Sequence, residues 1–223
     1  MRKTVFINDE YYHIFNRGVD KRQIFLDQYD IDRFFKSMRE FNVLEPIGSI
    51  YENSFKNPLG GSTSKLGGGN ELVEFVAYCL NPNHYHFVLK QSCDRGIEKF
   101  MQRLGTGYTM FFNEKYDRSG ALFQGKFKAV HIDSNEQLLY TSAYVNLNDR
   151  VHQLGGSTSK SSWSEYVGIY GIDNINKRGD EKNFCTTDII LDQFENRNGY
   201  IDFAEEALLV IKENRGKEEL LEE

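Results

Sequence analysis

The sequence predicts an α+β fold in which an antiparallel sheet is covered by helices on one face. Three observations support it: the predicted elements follow the order β-α-β-β-α-β-α, two strands are separated by a turn of three residues, and the helices between strands are amphipathic. A hydrophobic content of 39% in 223 residues suits a folded core. The first six elements are those of a ferredoxin-like sandwich, and the seventh could bring a side chain back over the sheet.

The first strand and helix are indicated by their side-chain patterns. Tyr11–Phe15 is rich in strand-forming residues and ends at the turn signal Asn16-Arg17-Gly18. Apolar residues recur at helical spacing from Asp27 to Phe41, which predicts a helix whose aromatic stripe packs against the sheet. The glycine-rich range 58–70 has no periodicity and is predicted to be an inserted loop.

A hairpin and a second helix are predicted in the middle of the chain. Glu74–Leu80 and His84–Lys90 have strand patterns and flank the short polar turn Asn81-Pro82-Asn83. Asp94–Tyr116 carries one apolar face and is predicted to be a helix. Two glycines inside this helix weaken it by about 1 kcal/mol each relative to alanine.

The last strand of the sheet is predicted at Lys126–Ile132, where apolar and polar residues alternate. Asp133-Ser134-Asn135 supplies N-cap candidates, and Glu136–Leu147 is the next predicted helix. A further amphipathic helix with a mostly acidic polar face is predicted at Ile201–Lys212, in a C-terminal helical extension.

Charge is distributed unevenly between a main domain, residues 1–153, and the extension, residues 154–223. The whole chain carries a net charge of −6. Residues 180–223 contain 13 Asp or Glu and 5 Lys or Arg, a balance of −8, so residues 1–179 carry +2. A mildly basic body with an acidic tail is compatible with nucleic-acid binding.

The cysteines and the apolar runs indicate a cytoplasmic protein. Cys79, Cys93 and Cys185 form no CxxC pair, which suits reduced thiols that pack as small hydrophobes. No apolar run approaches the 18 residues of a membrane-spanning helix, and Met1–Tyr11 lacks the apolar stretch of a signal peptide.

His84 and His86 are the first candidate site residues. They occupy alternate positions of a predicted strand, so both imidazoles project from the same face. Imidazole is the commonest side-chain metal ligand, and two on one strand form half of a metal site. The H-x-H pattern by itself is weak evidence, because core or surface histidines explain most of its occurrences.

Tyr144 and Asn148 form the second candidate pair. Their i, i+4 spacing places both on one face of the last predicted helix of the main domain. A tyrosine nucleophile must lose its proton, which a nearby cation facilitates, and an asparagine oxygen is a hard, neutral metal ligand. Because the chain has 13 tyrosines, a buried tyrosine with a satisfied hydroxyl is the simpler interpretation of the pattern alone.

Several segments together resemble a known family. In chain order they are Tyr12-His13-Ile14-Phe15-Asn16-Arg17-Gly18, Ala77-Tyr78-Cys79-Leu80-Asn81-Pro82-Asn83-His84-Tyr85-His86, Leu122-Phe123-Gln124-Gly125-Lys126-Phe127-Lys128, Tyr144-Val145-Asn146-Leu147-Asn148 and Ser161-Ser162-Trp163-Ser164-Glu165-Tyr166. On these segments, which together cover residues 11 to about 170, the chain resembles the single-tyrosine HUH transposases. The resemblance is closest to the IS200-like, REP-associated tyrosine transposases, which act on repetitive extragenic palindromes.

The resemblance implies an enzyme that cleaves and rejoins DNA through a 5′-phosphotyrosine. His84 and His86 would be metal ligands, Tyr144 the nucleophile and Asn148 the third protein ligand. The implied cofactor is Mg²⁺ or Mn²⁺. The implied partner is single-stranded or hairpin DNA, which fits a nucleoid-associated monomer or homodimer.

Two residues depart from the pattern of the family. Asn81 stands where methionine is common, and Asp149 stands where proline commonly follows the asparagine that matches Asn148. Neither departure removes a residue to which the resemblance gives a chemical role.

Further residues are candidates for DNA contacts. Arg17, Lys126 and Lys128 are candidate phosphate contacts, and Tyr12 and Phe127 are candidate stacking platforms for bases. Ordinary solvated charges explain each of the three cations equally well.

Two other function classes compete with the transposase interpretation. A replication or conjugation nickase of the same chemistry is one, although conjugative relaxases usually carry their tyrosine before the histidines. A protein that binds hairpin DNA without cutting it is the other, but such a protein has no need of His84, His86 and Tyr144.

A seven-residue peptide occurs twice in the chain. Leu59–Lys65 recurs unchanged as Leu154–Lys160, and both copies are predicted to be inserted surface loops. The first copy lacks the Gly-Lys-Ser/Thr order of a phosphate-binding loop and does not run from a strand into a helix, so that function is excluded.

Overall fold

Five antiparallel strands form the sheet around which the chain folds. The structure is a computed structural model that describes residues 4–48, 50, 71–152, 154, 158–168 and 183–218. The strands are β1 (Tyr11–Arg17), β2 (Val73–Asn81), β3 (His84–Gln91), β4 (Lys128–Ile132) and β5 (Lys160–Ser161). Their order in the sheet, β4-β1-β3-β2-β5, contains the arrangement of a ferredoxin-like sandwich and confirms the predicted α+β class.

Four of the α-helices in the described part of the chain lie at or near predicted positions, and three short ones of four or five residues were not predicted. In chain order the helices are α1 (Gln28–Glu40), α2 (Gly96–Lys115), α3 (Asn135–Asn146), α4 (Asn148–Val151), α5 (Trp163–Val167), α6 (Asp188–Leu191) and α7 (Arg197–Glu218). The side chain of Asp27 caps α1 by accepting from the Asp30 amide at 2.9 Å, and Ser134 caps α3 through the Gln137 amide. These caps satisfy amides that have no partner inside a helix, which is why both starts could be predicted.

One face of the sheet packs against α1 and α2. The strand residues on this face include Tyr12, Ile14, Tyr85 and Phe87, all buried. Phe34 of α1 meets the Tyr108 ring of α2 edge-to-face, with the ring centroids 4.7 Å apart. We call this surface the core face, and it is the face that the sequence predicted to be covered by helices.

The opposite face is also covered, mainly by α3 and α7. Val76 and Val88 of the sheet share a hydrophobic cluster with Leu138 of α3 and with Tyr200 and Leu208 of α7. The sequence predicted only the tyrosine helix on this side. The C-terminal extension therefore adds a strand, β5, and a helical layer to the predicted sandwich, while the boundary at residue 153 stays a prediction.

The turn between β2 and β3 is fixed by neighbouring backbone. The Pro82 carbonyl accepts from the Ile24 amide at 2.7 Å, and the Asn83 carbonyl accepts from the Gly18 amide at 2.8 Å. Position 18 itself needs glycine because of the chain that follows it, since a Cβ there would lie 2.2 Å from the Arg22 carbonyl oxygen. The turn holds the end of the sheet that carries the His84 and His86 imidazoles.

Range 58–70 and the first copy of the repeated peptide, Leu59–Lys65, lie outside the described residues. In the second copy, Ser159 Oγ donates to the Leu154 carbonyl at 2.7 Å, and Lys160 pairs with Leu80 as the start of β5. The prediction of a surface loop for the whole second copy is therefore wrong at its last residue.

Two predictions about the chain as a whole can be examined in the described residues. Cys79, Cys93 and Cys185 are free thiols. Within that part of the chain, no helix combines the length and the apolar character needed to cross a membrane.

Candidate active site

The strand register brings the candidate residues together on the face opposite the core face. Residues that pair directly across neighbouring strands share a face of the sheet. One such row contains Asn81, His84 and Arg17, and the next contains Cys79, His86, Phe15 and Lys128. We call this surface the site face.

The His84 imidazole is held by neighbours at both nitrogens. Nδ1 lies 2.6 Å from Asn83 Oδ1, and Nε2 lies 3.0 Å from both Asn148 Oδ1 and Asn81 Nδ2. Asn83 Oδ1 and Asn148 Oδ1 both only accept, so each ring nitrogen faces an amide oxygen, whereas Asn81 Nδ2 can donate to Nε2. In the tautomer protonated at Nδ1, the lone pair of Nε2 faces Asn81 and Asn148.

Asn148 reaches the site from the start of α4. The predicted single helix ends at Asn146, and Leu147, with φ −108° and ψ 14°, separates α3 from α4. Asn148 is fully buried, and its Oδ1 accepts from Asn81 Nδ2 at 2.7 Å. Its own Nδ2 is buried without a hydrogen-bond partner among the described residues. The break in the helix thus leaves Tyr144 and Asn148 directed at the same site.

His86 is buried beside a histidine of β1. The Nδ1 atom of His86 lies 2.9 Å from His13 Nε2. Burial lowers the pKa of His13 to about 4 and lowers the pKa of His86 well below its usual value, to which the charges of His13, His84 and His152 add. Both rings are therefore neutral at pH 7, the form in which imidazole binds metal ions.

Tyr144 packs against this histidine pair. Its ring meets His86 edge-on with the centroids 5.5 Å apart, and it meets His13 in the same way at 5.9 Å. The structure therefore brings together His84, His86, Tyr144 and Asn148, the four residues to which the resemblance gave chemical roles.

The donor atoms fit a divalent metal ion of mixed coordination. In the described parts of the chain, no three His, Cys, Asp or Glu side chains form a group that could hold a metal. A set built on His84 and His86 would take its third protein ligand from an amide oxygen, such as that of Asn148. His84 Nε2 and Asn148 Oδ1 are 3.0 Å apart, about the distance between two adjacent octahedral ligands that each lie ~2.1 Å from the ion. His84, His86 and Asn148 could supply such a set.

A groove of roughly 300 Å³ opens beside these residues. It is lined by Phe15, Asn16, Arg17, Lys21, Asn83, His84, His86, Gln124, Lys128, His152 and Leu154. Three cations border it, and Lys128 Nζ lies 5.9 Å from the centroid of the Phe15 ring. The Arg17 guanidinium donates to Gln124 Oε1. Positive charge around an aromatic surface suits a strand of nucleic acid.

The structure does not bring all the predicted DNA contacts to this groove. Tyr12 is fully buried on the core face, where its hydroxyl accepts from the Ile7 amide at 2.8 Å. Phe127 stacks with Phe6 at 6.3 Å and packs against the core cluster. Neither ring is placed to stack on a base at the groove. Lys126 is exposed but does not line the groove, whereas Arg17 and Lys128 do.

Sequence reasoning missed Phe15, His13, Asn81 and His152 as site residues. Phe15 and His13 lie two and four positions before Arg17, so strand alternation places all three on one face. That signal was available in the sequence. The His152 ring, 5.2 Å from the His84 ring, follows a short helix that has no comparable pattern.

A family model matches the central part of the chain. Residues 68–148 match the model described as Transposase IS200 like. This segment is similar to IS200-like transposases. The matched segment extends from just before β2 to the start of α4, so it includes His84, His86, Tyr144 and Asn148. It ends before the C-terminal extension.

A solved structure is also similar to the chain. It shows a REP-associated tyrosine transposase bound to a REP hairpin, with 14% sequence identity and a TM-score of 0.48. The match covers 82% of this chain and 95% of that chain. A search of curated proteins gives no match to this chain.

Proposed function

We propose that this chain is a metal-dependent transposase that cleaves and rejoins single-stranded, hairpin-associated DNA through Tyr144. One observation carries the proposal. The Tyr144 ring lies 5.5 Å from the His86 ring in the same site where His84 Nε2 approaches Asn148 Oδ1 to 3.0 Å. A nucleophile and a metal-binding donor set are thus adjacent, as phosphoryl transfer by a tyrosine requires.

The proposed reaction is a transesterification at phosphorus. The Tyr144 oxygen attacks the scissile phosphate, a tyrosine O–P bond forms, and the bond from phosphorus to the 3′ oxygen breaks. The phenol proton is lost and the 3′ oxygen leaves as a hydroxyl, so atoms and charge balance. Because the 5′-phosphotyrosine keeps the energy of the broken bond, a second 3′-hydroxyl can reverse the step without ATP.

The metal-binding residues proposed for this reaction are His84, His86 and Asn148. A bound Mg²⁺ or Mn²⁺ supplies charge neutralisation at the phosphate oxygens. The chain holds these donors rigidly, because two of them project from one strand and the Asn148 amide is fixed by the N–H of Asn81 at 2.7 Å. Rigid placement of donors is what preserves a metal site between turnovers.

DNA binding is proposed to use the groove on the site face. Arg17, Lys21 and Lys128 would contact phosphates, and Phe15 would stack on a base. The Tyr144 ring packs against His86, which lines this groove, so we expect the scissile phosphate to come from an unpaired stretch of backbone. We therefore expect tighter binding to a single strand that folds into a hairpin than to the same sequence as a perfect duplex, measured by gel-shift titration.

A cleavage assay with matched tyrosine variants tests the proposal. The probe is a labelled hairpin oligonucleotide from the gene's own flanks, incubated with Mn²⁺ or Mg²⁺ and separately with excess EDTA. Tyr144→Phe should abolish cleavage and spare binding. Tyr140→Phe should cleave normally, because Tyr140 is one turn earlier on α3, 53% exposed and packed against Phe203.

Three results of this assay would contradict the proposal. Full cleavage in excess EDTA would show that the reaction needs no divalent metal ion. Cleavage by the Tyr144→Phe variant would show that Tyr144 is not the nucleophile. Tight hairpin binding with no cleavage under any condition would favour a protein that binds DNA without cutting it.

A further inference from the structure

Two histidines from different strands share a proton at the centre of the site face. His13 of β1 pairs with Val88 of β3, which makes it the diagonal neighbour of His86. His13 Nε2 and His86 Nδ1 are 2.9 Å apart, a hydrogen-bonding distance. Since each neutral imidazole has one donor and one acceptor nitrogen, one ring must donate here and the other must accept.

The two ways of sharing the proton have opposite consequences for His86. If His13 donated, His86 Nδ1 would accept and Nε2 would carry the remaining proton, so no lone pair of His86 could reach a metal. If His86 donated from Nδ1, its Nε2 would keep a lone pair. Only the second arrangement is compatible with a metal-binding His86.

His84 has the same arrangement with a different partner. Its Nδ1 lies 2.6 Å from Asn83 Oδ1, which can accept the Nδ1 proton, and its Nε2 lies 3.0 Å from Asn81 Nδ2, which can donate, and 3.0 Å from Asn148 Oδ1. Each of the two site histidines therefore has a neighbour at Nδ1. Such a partner fixes the tautomer and the orientation of a metal-binding imidazole and raises its basicity.

We propose that His13 is a positioning residue that accepts the Nδ1 proton of His86 and thereby leaves the Nε2 lone pair of His86 available to the metal. This inference rests on the proposed function, in which His86 binds that metal. His13 itself is not a ligand in this proposal, because its Nε2 is engaged with His86. Its ring also borders Tyr144, with the centroids 5.9 Å apart.

The first test reads the tautomer directly in the metal-free wild-type protein. Long-range ¹H–¹⁵N spectra of protein with ¹⁵N-labelled histidine distinguish a ring protonated at Nδ1 from one protonated at Nε2. His86→Gln identifies the His86 signals by their loss. We expect His86 to carry its proton on Nδ1, and a His86 ring protonated on Nε2 would overturn the proposal.

The second test measures Mn²⁺ affinity by calorimetry in the absence of DNA. His13→Leu should weaken binding about 10- to 100-fold, the usual effect of losing such a partner. His13→Gln should recover much of the affinity, because its amide oxygen can accept near the position of Nε2. His131→Leu is the matched control: His131 is a strand histidine on the core face that contacts Glu10 Oε2 at 3.1 Å, and its loss should leave Mn²⁺ affinity unchanged.

The outcomes separate this inference from the proposed function. If the wild type binds Mn²⁺, His86→Ala loses it and a folded His13→Leu keeps it, only the role of His13 is overturned. If the wild type binds no Mn²⁺, both the proposed metal site and the proposed role of His13 are contradicted. Equal weakening by His13→Gln and His13→Leu, with both variants folded in thermal melts, would also contradict acceptance of a proton by residue 13.

Discussion

The two faces of the sheet are built from the same strands but by different chemistry. On β3, Tyr85 and Phe87 point to the core face and are buried among aromatic rings, whereas His86 between them points to the site face. The Phe87 side chain needs only close-packed apolar neighbours, whatever their identity. His86 is buried just as deeply, but its ring nitrogens require specific partners. At these adjacent positions, Phe87 therefore contributes stability, whereas His86 contributes chemistry at some cost to stability.

The site face itself contains two buried polar networks. Asn146 donates to the Tyr200 hydroxyl at 2.9 Å and accepts from Ser162 Oγ at 2.5 Å, which ties α3 to α7 and to the segment after β5. Asn148, two residues later, contacts Asn81 and His84 instead. The first network joins structural elements, and the second joins the proposed metal ligands. Four comparisons follow from these differences, beginning with the largest expected effect.

Substitutions at two adjacent residues of β3 should affect different properties, the free energy of unfolding in one case and the cleavage rate in the other. Phe87→Ala should lower the free energy of unfolding by about 3–5 kcal/mol, because it leaves a cavity in the aromatic core. His86→Ala should lose cleavage by roughly 1,000-fold, which corresponds to about 4 kcal/mol of transition-state stabilisation, and should lose less stability than Phe87→Ala. Urea unfolding and the cleavage assay measure both. Normal cleavage by the His86→Ala protein would contradict the assignment of the chemistry to the site face.

Substitutions of Asn146, at the end of α3, and of Asn148, at the start of α4, should have different effects, because each residue belongs to a different network. Asn148→Ala should reduce cleavage about 10- to 100-fold, less than the loss of either histidine. Asn146→Ala should instead lower stability by about 2 kcal/mol, because it leaves the buried Tyr200 and Ser162 hydroxyls short of partners. The same two assays apply. If Asn146→Ala lost more cleavage than Asn148→Ala while remaining folded, the assignment of the networks would be reversed.

Phe15 and Phe127 should differ in their effect on DNA binding. Phe15→Leu should weaken hairpin binding about tenfold, since stacking on one base contributes roughly 1–3 kcal/mol. Phe127→Leu should change it less than about twofold, because that ring stacks with Phe6 and faces the core cluster. Fluorescence anisotropy at one salt concentration compares the two. The opposite order would restore Phe127 as the stacking platform.

The smallest effect is expected from single groove cations. Lys128→Ala should reduce the slope of log binding constant against log salt by about 1, as expected when one phosphate contact is lost. Lys36→Ala is the control, because Lys36 is an exposed cation on α1, which packs on the core face. Titrations at several salt concentrations give the slopes, and equal slopes for the two variants would place the DNA elsewhere.

Local patterns in the sequence predicted most of the fold. The caps at Asp27 and Ser134 and the alternation of β3 depend on residues close together in the chain, so the sequence alone defines them. The contact of His13 with His86 joins residues 73 positions apart. It depends on the register of β1 against β3, which no local pattern encodes. The cover that α7 provides for the site face is long-range in the same way.

The positions of Tyr12 and Phe127 away from the groove have a simple physical cause. Residues two apart on a strand share a face and neighbours do not. Phe127 lies between Lys126 and Lys128, so the ring cannot share a face with both cations in an extended strand. Tyr12 and Arg17 are separated by an odd number of positions, so their side chains lie on opposite faces of β1. Alternation applied to β1 as it was to β3 would have selected Phe15 in place of Tyr12.

The central claim is that Tyr144 forms a covalent bond to DNA. The most direct measurement is mass spectrometry of the protein after reaction with hairpin DNA and Mn²⁺, followed by nuclease and protease digestion. The account predicts a phosphotyrosine-linked nucleotide on the peptide that contains Tyr144, absent when EDTA is added and absent in Tyr144→Phe. A nucleotide attached to any other residue, or cleavage that leaves the protein unmodified throughout the reaction, would contradict it.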